Sequence, residues 1–499
     1  MSPDVSADAR TLAERLARLV RITTITPDDG PLDDAATATF EAFHDLLAEL
    51  YPTTFSTAEV TAVGRAGLLL RIAAPSGSAS DAVDPGSDPA GATALGPVVL
   101  MAHQDVVPAP RGELGQDWAA AGWSHEPFAG VIALHLAEAW RDRLIADDAA
   151  GVTTVYGRGT LDDKGALLTT LEAVESLLRQ DWQPHSDLYL LFGADEERDG
   201  PSAEAAVALL AERGVAPALV IDEGGAVVTG AFPGLKRPLA AVGVAEKGVV
   251  NLEIIVETDP KRAGHGSTPP SRGVVPALGR ALAALERHPH PAVVDDVAIA
   301  MFDAIAPHVP PPLRWVLGGA DRLRRPIARL LPRLGGEMAA LVRTTMTPTV
   351  LRGSSAPNVI AARASAVVNV RVATSSSVAE AIAHVERVAG RAVGRRGPAL
   401  TVVTLAASEP TPASPLDDAR WALVSDAVAY AYPGAVVAPY TMLAASDSRF
   451  VASLTPAIYR FSPLAMTAQQ RSSIHGVDEN VAAASLVAGV AFYRRLLQG

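Results

Sequence analysis

Two residues apart, at the end of an apolar run, stand His103 and Asp105 in the stretch MAHQDVVP. Residues two apart on a strand share one face, so this imidazole and this carboxylate can meet one ligand or each other. One can bind a metal while the other orients it. Read alone, the pair also fits a surface histidine beside a solvated aspartate. Further on, YGRGTLDDKG sets Asp162 and Asp163 before a helical segment. Its two spaced glycines invite a phosphate-loop reading, but Asp162 stands where the third glycine belongs and an acidic pair repels a pyrophosphate. Metal ligation and a plain helix N-cap both stay open for this segment.

The run GADEERDG places Asp195, Glu196 and Glu197 directly after another apolar run. Adjacent carboxylates repel unless a cation neutralises them or one keeps its proton, an arrangement that suits a metal ligand beside a general base. Asp222 and Glu223 repeat the pattern, with Gly224 and Gly225 giving a tight exit. His475 lies in SIHGVDEN, and His265 in GHGSTPP, where flanking glycines let a backbone approach a ligand. Either would ordinarily be a turn or surface histidine. The sequence has no HExxH zinc helix and no GxSxG nucleophile elbow.

The elements that must hold these residues follow from the apolar pattern. Runs at 98–102, 188–193 and 218–221 each stop at the polar residues just named, and helical stretches at 166–178 and 203–213 lie between them. That alternation predicts an α/β sheet covered on both faces, with its ligand site beyond the carboxyl ends of the strands. Helical spacing within 7–50 predicts two helices. From about 244 the order becomes strand 249–256, helix 275–288, strands 349–359 and 366–372, helix 378–389 and strand 399–405. This β-α-β-β-α-β order is ferredoxin-like. The reading is a catalytic α/β domain of residues 1–243 and 407–499, a mixed sheet with helices on both faces. It is interrupted by a ferredoxin-like α+β lid at 244–406. The lid carries an insertion at about 289–348 with a basic run at 322–333, a candidate lid or partner surface. The stretch 75–97 reads as a loop excursion, 130–151 as a helical one, and Asp478 as the N-cap of a closing helix.

With 499 residues, 49% of them apolar and 19% charged, the composition is that of an ordinary globular protein. Forty-two Lys and Arg against 55 Asp and Glu leave a net charge of −13, which argues against a nucleic-acid or membrane partner. The absence of cysteine removes disulfides, thiolate metal sites and thiol nucleophiles. The polar, acidic start lacks the pattern of a signal peptide, and no apolar run reaches membrane-spanning length, so the expected location is cytoplasmic.

Taken in order, MAHQDVVP, YGRGTLDDKG, GADEE, IDEGG, GHGSTPP and SIHGVDEN resemble the M20 family of co-catalytic zinc metallopeptidases. LVRTTMTPTV, APNVI, VVNVRV, ASDSRF and IYRFSP look like its branch of Gly-X carboxypeptidases and N-acyl-amino-acid hydrolases. The resemblance implies two zinc ions per subunit, replaceable by cobalt or manganese. Asp162 would bridge them, His103 and Asp222 would serve one, and Glu197 and His475 the other. It further implies Glu196 as general base, Asp105 as the group that holds His103, and His265 as oxyanion stabiliser, acting in dimeric relatives on the partner subunit's site. Asn358 and Arg371 would grip the substrate carboxylate. Lid closure would bring His265 and Arg371 over the metals, and the lid would support a homodimer. The implied reaction is hydrolysis of an amide next to a free carboxylate, in short peptides by a carboxypeptidase or dipeptidase, or alternatively in N-acyl amino acids. Outside enzymology, a catalytically silent peptide-binding protein on the same fold and a lid-mediated assembly protein are the competing readings.

Overall fold

In the strands Val98–His103, Leu188–Gly193 and Leu219–Asp222 every residue is buried, as their apolar composition demands. The structure, a computed structural model, describes residues 5–27, 32–75, 95–109, 117–135 and 152–499. It sets these three strands side by side and parallel, with His103 opposite Gly193. Ile458–Arg460 adds a fourth parallel strand, Arg460 lying opposite Asp222. All four strands therefore leave the sheet at one edge, where His103 and the acidic runs at Asp195 and Asp222 stand, whereas Asp162 and Asp163 follow Val152–Tyr156, a strand of a separate three-stranded sheet.

The sheet has ten strands among the described residues, extended by the hairpin Glu59–Val63 and Gly67–Ile72 on one side and by Leu239–Glu246, its neighbours and Val436–Met442 on the other. Alternate residues feed opposite faces. Leu100, Leu190 and Ile221 join a core with the helices Val5–Val20, Asp34–Leu50, Lys164–Leu178 and Ala483–Gln498. Val99, Leu191 and Val220 pack on the other side against Pro201–Glu212 and Ser448–Val451. Burying both faces makes this a rigid platform.

The lid forms as its element order predicts. Four antiparallel strands run in the order Thr345–Arg352, Arg363–Val372, Gly248–Glu257, Ala399–Ser408. The helices Val274–Arg287 and Val378–Val393 share a separate core with that sheet. The second helix starts in a capping box between Ser377 and Glu380.

Four local expectations are corrected. The strand expected at 349–359 ends at Arg352, because Gly353 and the Ser-Ser-Ala-Pro stretch break it; Val359–Ile360 pairs instead with Gly264–His265. Asp478 does not cap the closing helix, since Asn480–Ala482 first forms a strand against Val152–Tyr156; its carboxylate takes the Ser124 N–H and hydroxyl at 2.7 Å. Residues 131–135 of the expected helical excursion form a strand on Val152–Tyr156, and 136–151 lie outside the described residues. The insertion is helical, but Val297, Phe302, Ile305, Leu317 and Ile327 belong to the core of the large sheet, not to that of the lid. Most of the 75–97 loop, 76–94, also lies outside the described residues. Among the described residues no helix is long and apolar enough to cross a membrane.

Candidate active site

Beyond the carboxyl edge of the large sheet, five separate segments converge. His103 ends its strand 1% exposed, with Nε2 2.8 Å from Oδ1 of Asp162. The other oxygen of Asp162 lies 3.0 Å from Nε2 of His475, which in turn is 2.9 Å from Oε1 of Glu197. Ligand atoms of His103, Asp162 and Glu197 all fall within 4.8 Å of one another. Asp222, at the next strand end, is 2% exposed and accepts the Ser448 N–H at 2.9 Å. It is a charge neighbour of Asp163 and Glu223. Four of the expected ligands, His103, Asp162, Glu197 and His475, are therefore joined by contacts from residues up to 372 apart in sequence, with Asp222 beside them as a charge neighbour of Asp163 and Asp447.

Asp105 works on three of its neighbours. The Nδ1 of His103 is 2.9 Å from its carbonyl oxygen and 3.4 Å from its carboxylate. That carboxylate also accepts the backbone N–H groups of Glu196 and Glu197, each at 3.1 Å. One buried side chain thus fixes the imidazole and the turn that carries the glutamates.

The electrostatics of the protein atoms are strongly one-sided. Burial, reinforced by Asp447, Glu197 and Asp162 and opposed by His103, holds the Glu196 carboxyl well above its usual range. Burial does the same to Asp163, Glu223 and Asp447, with neighbouring carboxylates adding to it. Hydrogen bonds to Asp162 and Glu197 push the imidazole of His475 up to about 10. Asp163 and Asp447 each keep a buried carboxylate oxygen without a hydrogen-bond partner. Such a crowd of oxygen and imidazole donors, short of positive charge, fits a divalent cation.

Three supports were not evident in the sequence. Glu479, fully buried, accepts the N–H groups of Gly159, Leu161 and Asp162 at 3.1, 2.9 and 3.2 Å and pairs with Arg158 at 2.7 Å. It ties the loop of Asp162 to the loop of His475, four residues before it. The signal was the acid inside SIHGVDEN. Lys164 donates to the carbonyls of Leu19 and Ile22 at 3.1 and 2.7 Å, and burial pushes its ammonium down to about 7. Asp447, from ASDSRF, is packed so tightly between Gly193 and Gly200 that a Cβ at Gly200 would lie 1.9 Å from its Oδ1. Asp163 occupies the N-cap position of its helix but makes no capping bond; its carboxylate takes the His103 N–H at 3.2 Å instead.

The lid residues divide. Arg371 is partly buried and has Glu246 and Glu196 as its opposite-charge neighbours. His265 and Asn358 lie together on the two-stranded ribbon, where Gly266 donates to the Asn358 carbonyl at 2.8 Å. Both are exposed, and Nδ1 of His265 meets Ser267 Oγ at 2.8 Å. The structure thus brings Arg371 to the acidic cluster and leaves His265 and Asn358 facing outward.

The sequence pattern described as Peptidase family M20/M25/M40 matches residues 99–499. A human protein named N-fatty-acyl-amino acid synthase/hydrolase PM20D1 is 33% identical over 417 residues, covering 83% of this chain and 75% of that one. The probable carboxypeptidase S-like 2 of Dictyostelium discoideum is 28% identical over 490 residues, covering 98% and 84%. Among solved structures, human carnosine dipeptidase 1 superimposes with a TM-score of 0.63 at 15% identity, over 99% of this chain and 98% of that one.

Proposed function

The chain belongs to peptidase family M20/M25/M40, and from that premise we propose that it hydrolyses an amide bond next to a free carboxylate by means of two zinc ions. The convergence of His103, Asp162, Glu197, Asp222 and His475 carries this reading. Asp162 would stand between the ions, with His103 and Asp222 on one and Glu197 and His475 on the other. Bound there, the ions would supply Lewis acidity to the attacking water and to the scissile carbonyl. The Glu196 carboxylate takes the proton of the attacking water and returns it to the departing amine nitrogen. Asp105 keeps His103 in one orientation and holds the Glu196 backbone in place. Arg371 offers its guanidinium to the substrate carboxylate, for which its fork of donors is suited. The outward-facing His265 and Asn358 would serve the site of a second copy in a homodimer.

The human relative's name favours a second reading on the acyl side, hydrolysis of N-acyl amino acids rather than short peptides. Zinc-loaded protein should release free amino acid from glycyl dipeptides or from fatty-acyl amino acids, and a chelator should stop it. Release from dipeptides alone selects the peptidase reading, and preference for the acyl series selects the other. No release from either would overturn the proposed reaction.

A further inference from the structure

Beside the acidic cluster lies an apolar cavity of about 230 Å³ that the hydrolytic groups do not use. Its walls continue the ligand-bearing segments. Gly224 follows Asp222 by two residues, Arg471 precedes His475 by four, and Met442 ends the strand from which the chain runs to Asp447. The far wall comes from the insertion, through Met301, Met338 and Leu341. Phe232 and Met442 are nearly buried, and the charged pair on the wall, Glu337 and Arg471, is closed upon itself at 2.8 Å. Gly224 has φ +120°, and a Cβ there would lie 2.4 Å from Met442 Sδ, so only glycine leaves this wall in place.

We propose that this cavity receives the apolar acyl half of the substrate, and that the inserted helices set how long an acyl chain the enzyme accepts. The inference rests on the amide-hydrolase reading and names its substrate class. Three methionine or leucine side chains from the insertion and Met442 opposite give an adaptable apolar lining. No unpaired charge projects from the residues that line it to reward a polar group. Arg371, which holds the carboxylate end, is not among those residues, which leaves the cavity to the other side of the scissile amide. Its volume is below the roughly 300–1,000 Å³ typical of pockets for drug-sized ligands, which suits a medium chain better than a long one.

The test uses the full zinc-loaded chain and N-acyl phenylalanines bearing acetyl, butanoyl, octanoyl and hexadecanoyl groups, with N-octanoyl alanine as a control for the amino-acid side. Expected is a rise in kcat/KM of at least about tenfold from acetyl to octanoyl, with no comparable dependence on phenylalanine against alanine. Ala231→Leu and Met338→Trp, which enlarge two of the side chains that line the cavity, should remove that gain and leave the acetyl substrate unchanged. Calorimetric binding of octanoate against acetate gives a second readout, with octanoate bound more tightly by the wild type and less so by both variants. Equal losses on all acyl lengths, discrimination that follows the amino-acid side chain, or octanoate binding unaffected by both variants would overturn the proposal. If no substrate is cleaved, the hydrolase reading fails, while octanoate binding still decides whether the cavity takes an acyl chain.

Discussion

Along Leu188–Gly193 every residue is buried, whereas along Ala399–Ser408, the edge strand of the lid, every residue is exposed or half-exposed. The large sheet has helices on both faces, and its side chains have nowhere else to go. The lid sheet has helices on one face only, and Leu351 and Leu405 stand 67% and 54% exposed. The first region can therefore hold mutually repelling carboxylates at fixed places, because the platform beneath them cannot yield. The second can carry His265 and Asn358 outward on a ribbon, because little packs on them. Carboxylates crowded against their own repulsion sit where the backbone is over-determined, and the exposed His265 and Asn358 sit where it is not.

The largest effect is expected at Glu479. Glu479→Ala strands the Arg158 guanidinium in the interior and frees the loop of Asp162, and it should cost roughly 3–5 kcal/mol in denaturant unfolding. A loss of zinc affinity of about 10–100-fold should accompany it. Next is the pair Leu190→Ala and Leu405→Ala. The first should destabilise by about 2–5 kcal/mol. The second should change stability by no more than about 0.5 kcal/mol. A large cost at Leu405 would mean that this lid face is covered, as in a dimer.

Lys247 lies where the regions meet, its Nζ donating to the Arg343 carbonyl at 2.7 Å. Burial, with Arg371 and Arg343 nearby and Asp295 opposing, pushes its ammonium from 10.5 down to about 8. Between those values the unfolded chain binds a proton that the folded chain has released. Stability should therefore rise from pH 8 to 10.5, by up to about 3 kcal/mol from this group, and the cost should be fully present below pH 8. Lys247→Gln should flatten that slope in unfolding measured across the window. Smallest in stability is His265→Ala, expected within about 0.5 kcal/mol of wild type in thermal unfolding while its turnover falls.

How far the sequence reveals this molecule depends on the range of the interactions. Strand ends such as His103 and Asp222 announce themselves, because an apolar run that stops at an acid or imidazole is local information. The ferredoxin-like order was legible for the same reason. Glu479 was not, since its four partners lie at 158–162, more than 300 residues away, and a lone acid in a loop has no periodicity. The insertion's basic run signals a surface, while Phe302 and Ile305 in the same insertion pack into the large core. The break at Gly353 was readable as turn chemistry, but that Val359 would pair with His265 depends on a contact across 94 residues.

The decisive variant is Glu196→Gln, which keeps the shape of the site and removes the carboxylate proposed to carry the proton. Metal content and turnover should be measured together on the same zinc-loaded preparation. Expected are an unchanged zinc stoichiometry and a fall in kcat of about 10²–10⁴-fold. Wild-type turnover with both metals bound would contradict that role of Glu196 and place the base elsewhere.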